Sequence, residues 1–188
     1  MKQSEASVRI RRAEPEDAYQ VARVLRESFL EYQDRYTPEG YTATTPGEPQ
    51  VRSRMEEGPT WVALLGDVIV GTASAVQEEA GPVYVRGMAV LPGARDRGVA
   101  RLLLREIEDF ALRNDSTGLL LNTTPFLDGA IRLYERFGFV RIPDGPHDLF
   151  GTPLFSMAKA LDSVQESDEV TREENPCRKT TDTPPAFA

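Results

Sequence analysis

Residues 84–101, YVRGMAVLPGARDRGVAR, restrict the possible folds more than any other stretch of this chain. An apolar run ending in Met88-Ala89-Val90 stops at Pro92-Gly93. A loop carrying Arg95 and Arg97 follows, then Gly98, then a segment with helical periodicity. A strand that passes through such a loop into a helix builds a place for an anion. The first N–H groups of a helix lack intrahelical partners and stand at the positive end of its dipole. Gly98 lets a ligand approach the backbone closely, and Arg95, Arg97 and Arg101 add fork-shaped positive charge. No Lys-Ser/Thr follows the glycine, which excludes a P-loop, and only one glycine of the dinucleotide fingerprint is in register.

The rest of the chain sets this unit among alternating elements. Ser7–Arg12 alternates as a strand. Pro15, Glu16 and Asp17 open a helix whose stripe is Ala18, Val21, Ala22, Leu25 and Phe29. Glu31–Pro59 reads as a long loop with a short helix near Gln50–Glu57, and long ordered loops are often functional. Thr60–Leu65 and Val68–Val76 form a hairpin around Gly66-Asp67. Val83–Val90 is the next strand, with Gly87 marking a bulge or a close backbone approach. Val99, Leu103, Ile107 and Phe110 define the buried face of a helix, and Leu119–Leu121 a short strand. Leu127–Phe137 is helical, stopped by Gly138 with Phe139 packing beyond it. Phe139–Ile142 and Pro153–Ala158 are the last strands, joined by a Pro/Gly-rich loop.

Beyond Leu161 the character changes. Residues 162–188 hold seven acids, three bases and almost nothing apolar. Such a segment cannot offset its ordering entropy by burial, and we expect a disordered acidic tail after a folded domain at residues 5–161. Cys177, the only cysteine, lies in that tail, so no internal disulfide can form. A net charge of −8 argues against nucleic-acid binding. With no secretory signal and no membrane-length apolar run, a cytoplasmic protein without membrane partners is expected.

Arg95-Asp96-Arg97-Gly98-Val99-Ala100 resembles the acetyl-CoA signature of the GNAT superfamily of N-acetyltransferases, Arg/Gln-x-x-Gly-x-Gly/Ala. Leu119–Phe139 resembles the closing motif of that superfamily, with Leu133, Tyr134, Gly138 and Phe139 on its Leu-Tyr-x-x-x-Gly-Phe pattern. The resemblance covers nearly all of residues 7–160. It implies an α/β (α+β) fold: a central mixed, mostly antiparallel sheet of six to seven strands, flanked by about four helices. One splayed strand pair would form a wedge for CoA.

The resemblance also implies roles. The free edge at Met88, Ala89 and Val90 would pair with pantetheine as an added strand does, and an N–H near Met88 would polarise the thioester carbonyl. Arg95, Asp96, Arg97, Gly98, Val99, Ala100 and Arg101 would hold the pyrophosphate. Asn122, with Thr123 as its competitor, would bond the pantetheine arm or a water. Tyr134 would protonate the departing thiolate, since a phenol of pKa near ~10 is still protonated where a thiol of pKa near ~8.5 begins to ionise. Many relatives place a glutamate base where this chain has Tyr84, which leaves the base open between a water relay and His147.

The acceptor is expected between Phe29–Glu57 and Asp144–Phe155, with Phe29, Tyr32, Tyr36 and His147 as candidate contacts. Aromatic rings near Glu31, Asp34 and Glu39 would suit a cation or small amine. The implied activity is direct acetyl transfer from acetyl-CoA to a primary amine, without a metal, by a monomer or homodimer. A non-catalytic acyl-CoA-binding sensor on the same fold is the competing expectation.

Overall fold

An apolar run such as Thr60–Leu65 has no polar face to offer water, so it must lie between two covering layers. The computed structural model, which describes residues 7–77, 81–145 and 147–161, supplies both layers. In chain order the elements are β1 (Val8–Arg12), α1 (Ala18–Phe29), α2 (Pro38–Thr44), α3 (Glu48–Glu57), β2 (Thr60–Leu65), β3 (Val68–Gln77) and β4 (Val83–Val90). They continue with α4 (Val99–Arg113), β5 (Gly118–Thr123), α5 (Asp128–Phe137), β6 (Val140–Arg141), β7 (His147–Leu149) and β8 (Thr152–Ala160). The strands lie in the order β1-β2-β3-β4-β5-β8-β6, with β7 also on β8. Every pairing is antiparallel except β4 with β5. The chain therefore has the mixed, mostly antiparallel sheet that the resemblance implies.

The two cores alternate along β2. Trp61 and Ala63 join Val99, Leu103, Leu104 and Ile107 of α4 on one face. Val62 and Leu64 join Val21, Val24 and Leu25 of α1 and Val51 of α3 on the other. Burying each leucine or isoleucine of α4 contributes about 1.5–3 kcal/mol. Gly71 of β3 lets α4 sit close: a Cβ there would stand 2.9 Å from Val99 Cγ1 and 3.3 Å from Leu103 Cδ1.

Eight strands and five helices exceed the six to seven and four expected. The surplus strand is β7, which lies in the segment read as a loop and pairs with β8 from His147↔Leu154 to Leu149↔Thr152. The surplus helix is α2, in the stretch read as mostly loop. Thr37 caps it, its hydroxyl accepting from Gly40 N–H at 3.1 Å, and Pro38 takes a first-turn position that needs no N–H donor. Thr37 also ties α2 to the β7–β8 hairpin. Its N–H donates to Thr152 Oγ1 at 3.0 Å and its hydroxyl to the Phe150 carbonyl at 2.8 Å. The expected acidic tail, with Cys177, lies outside the described residues, so the domain limits of 5–161 stay an expectation. Among the described residues no helix is long and apolar enough to cross a membrane.

The entry into α1 is held by charge. Arg11 donates twice to the Asp17 carboxylate, at 2.6 and 2.9 Å, and Glu14 N–H donates to it at 2.8 Å. The bond from Arg11 outweighs partial burial and holds the Asp17 carboxyl below its ordinary value. Asp17→Asn should cost about 1–2 kcal/mol at neutral pH. The folded state prefers ionised Asp17, so its contribution is complete above the unfolded value near ~3.9 and disappears as pH falls through the lower folded value. Urea unfolding should find the gap between the parent and Asp17→Asn closing below about pH 4.

Candidate active site

The parallel pair is where the sheet opens. β4 and β5 share only Val83↔Leu119 and Tyr84↔Leu120. Beyond that point β4 stays paired with β3 as far as Gly71↔Val90, and β5 with β8 as far as Thr123↔Phe155. The facing edges of residues 85–90 and 121–123 are left without each other. The unpaired edges border a cavity of about 770 Å³. A bulge accompanies the opening: Gly87 and Met88 together oppose Ala73, and Gly87 has φ +58°. That left-handed conformation is the one a glycine accepts without strain.

The bulge also resets which side chains face which layer. Before it, Val83 and Val85 belong to the α4 core, so Tyr84 and Arg86 face α1 and α3. After it, Ala89 faces α1, while Met88 and Val90 pack toward α4.

One end of the cavity is the loop from Arg95 to Arg101. Gly98, at φ +74°, is the N-cap of α4, and no side chain caps that end. The first helical bond there runs from Leu102 N–H to the Gly98 carbonyl at 3.1 Å. The N–H groups of Val99, Ala100 and Arg101 therefore have no partner among the described residues, and all three residues line the cavity. Asp96 reaches φ +62°, which sets the loop back toward the helix start. The set fits a pyrophosphate: free donors at a helix N-terminus, a glycine with open space beside it, and Arg101 without an ion pair among the described residues.

Arg95 behaves differently from the expectation. Its guanidinium donates to the Ser28 and Val90 carbonyls at 3.1 and 3.4 Å and pairs with Glu31 at 2.5 Å. It braces the loop against α1, leaving little of itself for a phosphate. Arg97 is exposed and does not line the cavity.

Tyr134 of α5 lines the same cavity, buried to 8% exposure, with its ring 5.8 Å from that of Phe139. Burial, followed by the nearness of Tyr36 and Tyr84, holds its phenol well above the ordinary value. Tyr84 is also raised by burial, against the pull of Arg86, Asn122 and Arg54. Neither phenol is a phenolate at neutral pH. Asn122 is fixed from behind: Ser156 Oγ donates to its Oδ1 at 2.7 Å, which turns the amide N–H₂ toward the cavity and Tyr84.

Phe29, Tyr32 and Tyr36 line the cavity, and Phe126 stands behind them, its ring 4.9 Å from Tyr36 and perpendicular to it. His147 does not join them. It sits on β7, 3.3 Å from Asp144, outside the cavity lining, unlike the expectation that put it beside the acceptor. The acids expected near the acceptor are absent from the lining too. Glu31 is engaged by Arg95, Asp34 and Glu39 do not reach the cavity, and Asp96 in the phosphate-side loop is the one carboxylate among the described lining residues.

Arg54 of α3 and Arg86 of β4 line it instead, and the sequence reading passed over both. The available signal was a charged residue inside an otherwise apolar strand, Tyr84-Val85-Arg86-Gly87-Met88. Among the described residues no three metal-ligating side chains gather.

The model of the acetyltransferase (GNAT) family matches residues 22–139. N-acetylaspartate synthetase of Xenopus tropicalis is 36% identical over 102 residues, covering 54% of this chain and 38% of the relative. IAA acetyltransferase of Azospirillum brasilense is 34% identical over 143 residues, covering 71% of this chain and 88% of the relative. The chain spans only 29–38% of the length of the N-acetylaspartate synthetases it matches. Among solved structures, PaiA N-acetyltransferase of Thermoplasma acidophilum in complex with coenzyme A superposes with a TM-score of 0.68 at 19% identity, over 82% of this chain and 99% of that one. The ribosomal-protein-S18-alanine N-acetyltransferase of Escherichia coli superposes with a TM-score of 0.67 at 17% identity, over 86% and 98%.

Proposed function

Because the chain belongs to the acetyltransferase (GNAT) family, we propose that it transfers an acetyl group from acetyl-CoA to a primary amine by direct attack in a ternary complex. One observation carries the reading: a splayed β4–β5 pair, a bare helix N-terminus and a buried, protonated tyrosine all border one cavity.

In this reading the pyrophosphate rests on the N–H groups of Val99, Ala100 and Arg101. The pantetheine arm lies along Met88, Ala89 and Val90 as an added strand, with the Asn122 amide donating from the opposite edge. A β4 N–H at the bulge polarises the thioester carbonyl. The amine nitrogen forms a bond to the carbonyl carbon, the C–S bond breaks, and the thiolate takes the Tyr134 proton. The proton of the attacking nitrogen leaves through solvent or through the Tyr84 hydroxyl, since the described lining holds no carboxylate at that end.

Two consequences follow for pH. The rate at limiting acceptor should rise with the fraction of free amine, since an ammonium cannot attack, and should show no carboxylate inflection near pH 4–6. Tyr134 lies above its ordinary ~10, so loss of its proton should not depress the rate until beyond about pH 10. A kcat/KM profile with two amines of different pKa checks both, because the acid limb should move with the amine.

Calorimetric titration of acetyl-CoA, with ATP and NAD as controls, tests the cofactor half. Release of free thiol over an amine panel tests the transfer. The same lack of a carboxylate favours a second reading, a non-catalytic acyl-CoA-binding module. That reading requires binding of acetyl-CoA with no thiol release from any amine.

A further inference from the structure

The described lining of the cavity holds five arginines, Arg54, Arg86, Arg95, Arg101 and Arg136, against the single Asp96, in a chain whose net charge is −8. Positive charge has been gathered here against the average of the molecule. Arg95 and Arg101 belong to the phosphate-side loop. Arg54 and Arg86 do not. Arg86 precedes the bulge on β4 and points to the α1/α3 face, toward the part of the strand farthest from that loop. Arg54 reaches the same place from α3.

The two differ in how their charge is met. Arg86 pairs with Glu57 at 2.6 Å and donates to the Arg54 carbonyl at 3.2 Å. Arg54 donates once, to the Ala43 carbonyl at 3.1 Å, and has no carboxylate within ion-pair distance among the described residues. A half-buried guanidinium beside a second one, with donors to spare, Glu57 acting on it only from a distance and no carboxylate within ion-pair reach among the described residues, is costly unless something anionic arrives.

We propose that Arg54 receives a carboxylate of the acceptor, so that the amine acetylated is that of an amino acid or a similarly small amino-carboxylate. The inference rests on the acetyl transfer proposed above and names its acceptor class. A chain laid from the loop along β4 places its acyl end at the bulge. The amine must attack from the space beyond, which Arg54, Arg86 and Tyr84 border. Arg86 is a positioning residue: it holds the backbone of Arg54 and adds to the field. Burial, and then Arg86, lower the Arg54 pKa, so a bound carboxylate would relieve both. The aromatic wall of Phe29, Tyr32 and Tyr36 then packs against the rest of the acceptor. The balance of the reaction is unchanged: the carboxylate is held and only the amine nitrogen changes bonds.

The test uses the full chain with saturating acetyl-CoA and free-thiol detection. L-aspartate and L-alanine are compared with their α-amides and with spermidine, at equal concentrations of unprotonated amine. The carboxylates should exceed the amides on the order of 10- to 100-fold in kcat/KM, mainly through KM, as expected for charge-assisted hydrogen bonds to a carboxylate. Arg54→Met should collapse that ratio to within about threefold, and Arg54→Lys should keep part of it. Equal or better turnover of the amides or of spermidine would overturn the proposal. So would a loss of acetyl-CoA affinity in Arg54→Met as large as the loss for the acid. If no amine in the panel reacts, N-acetylalanine and N-acetylalaninamide are titrated into the CoA-saturated protein, and a failure to prefer the acid overturns the proposal equally. Absence of acetyl-CoA binding would instead remove the acetyl-transfer reading itself.

Discussion

Tyr134→Phe is expected to lower kcat by roughly two to four orders of magnitude while leaving the acetyl-CoA dissociation constant within a factor of about three. The ring keeps its place against Phe139, so the cost falls on the proton and not on the packing. Without the phenol, the leaving thiolate must collect its proton from water in a cavity whose tyrosine was held protonated by burial. Stopped-flow acetylation under single-turnover conditions reads the chemical step directly, and calorimetry reads the binding. A variant that binds acetyl-CoA normally and still turns over at the parent rate would make Tyr134 a packing residue. If the parent protein itself never turns over, the comparison has no rate to lose and the acyl-CoA-binding module gains.

Ala100→Asp should separate stability from binding. A carboxylate in the first turn of α4 sits at the favourable end of the helix dipole, worth about 0.3–1 kcal/mol, which roughly offsets the poorer helix propensity of aspartate. The melting temperature should therefore move by no more than a few degrees. The same charge stands among the N–H groups that would hold the pyrophosphate. Two like charges about 5 Å apart at an effective dielectric constant near 20 repel by about 3 kcal/mol. Acetyl-CoA affinity should drop on the order of 100-fold, with the loss reduced at high salt. Isothermal titration at two ionic strengths, beside a thermal melt, measures all three quantities. Unchanged affinity would move the phosphate away from this helix.

The helix-N-terminal part of the candidate site was legible because it is written in consecutive residues. A strand, a loop, Gly98 and a helix N-terminus depend on local chemistry, and the structure has them where the spacing puts them. Gly87 could be read as a bulge or a close backbone approach because a glycine inside an apolar strand has few other uses, and the structure has the bulge. The part proposed to receive the acceptor was not legible in the same way. Arg54 and Arg86 are 32 positions apart, and only the packing of α3 across β4 brings them together. His147 drew attention by its residue type, yet its short strand turns it toward Asp144. The acids near α1 suggested a cationic ligand until Arg95 took one of them for itself. Within Glu31–Pro59 the Thr37-Pro38-Glu39 start signal was present, but its surrounding tyrosines and prolines read as loop. The helix it begins is also held by a contact 115 residues away, between Thr37 and Thr152.

That contact has a mechanical meaning. Ala43 and Thr44 of α2 line the cavity, as do Leu149 and Leu154 of the β7–β8 hairpin. Thr37 rivets the two, and Gly40 leaves no slack: a Cβ there would stand 2.5 Å from Thr152 Oγ1 and 2.8 Å from the Leu149 carbonyl. Two elements of the cavity lining that lie far apart in the chain are thereby joined into one piece. A substitution at Thr37 or Gly40 would therefore reach the cavity lining from both sides, although neither residue lines it.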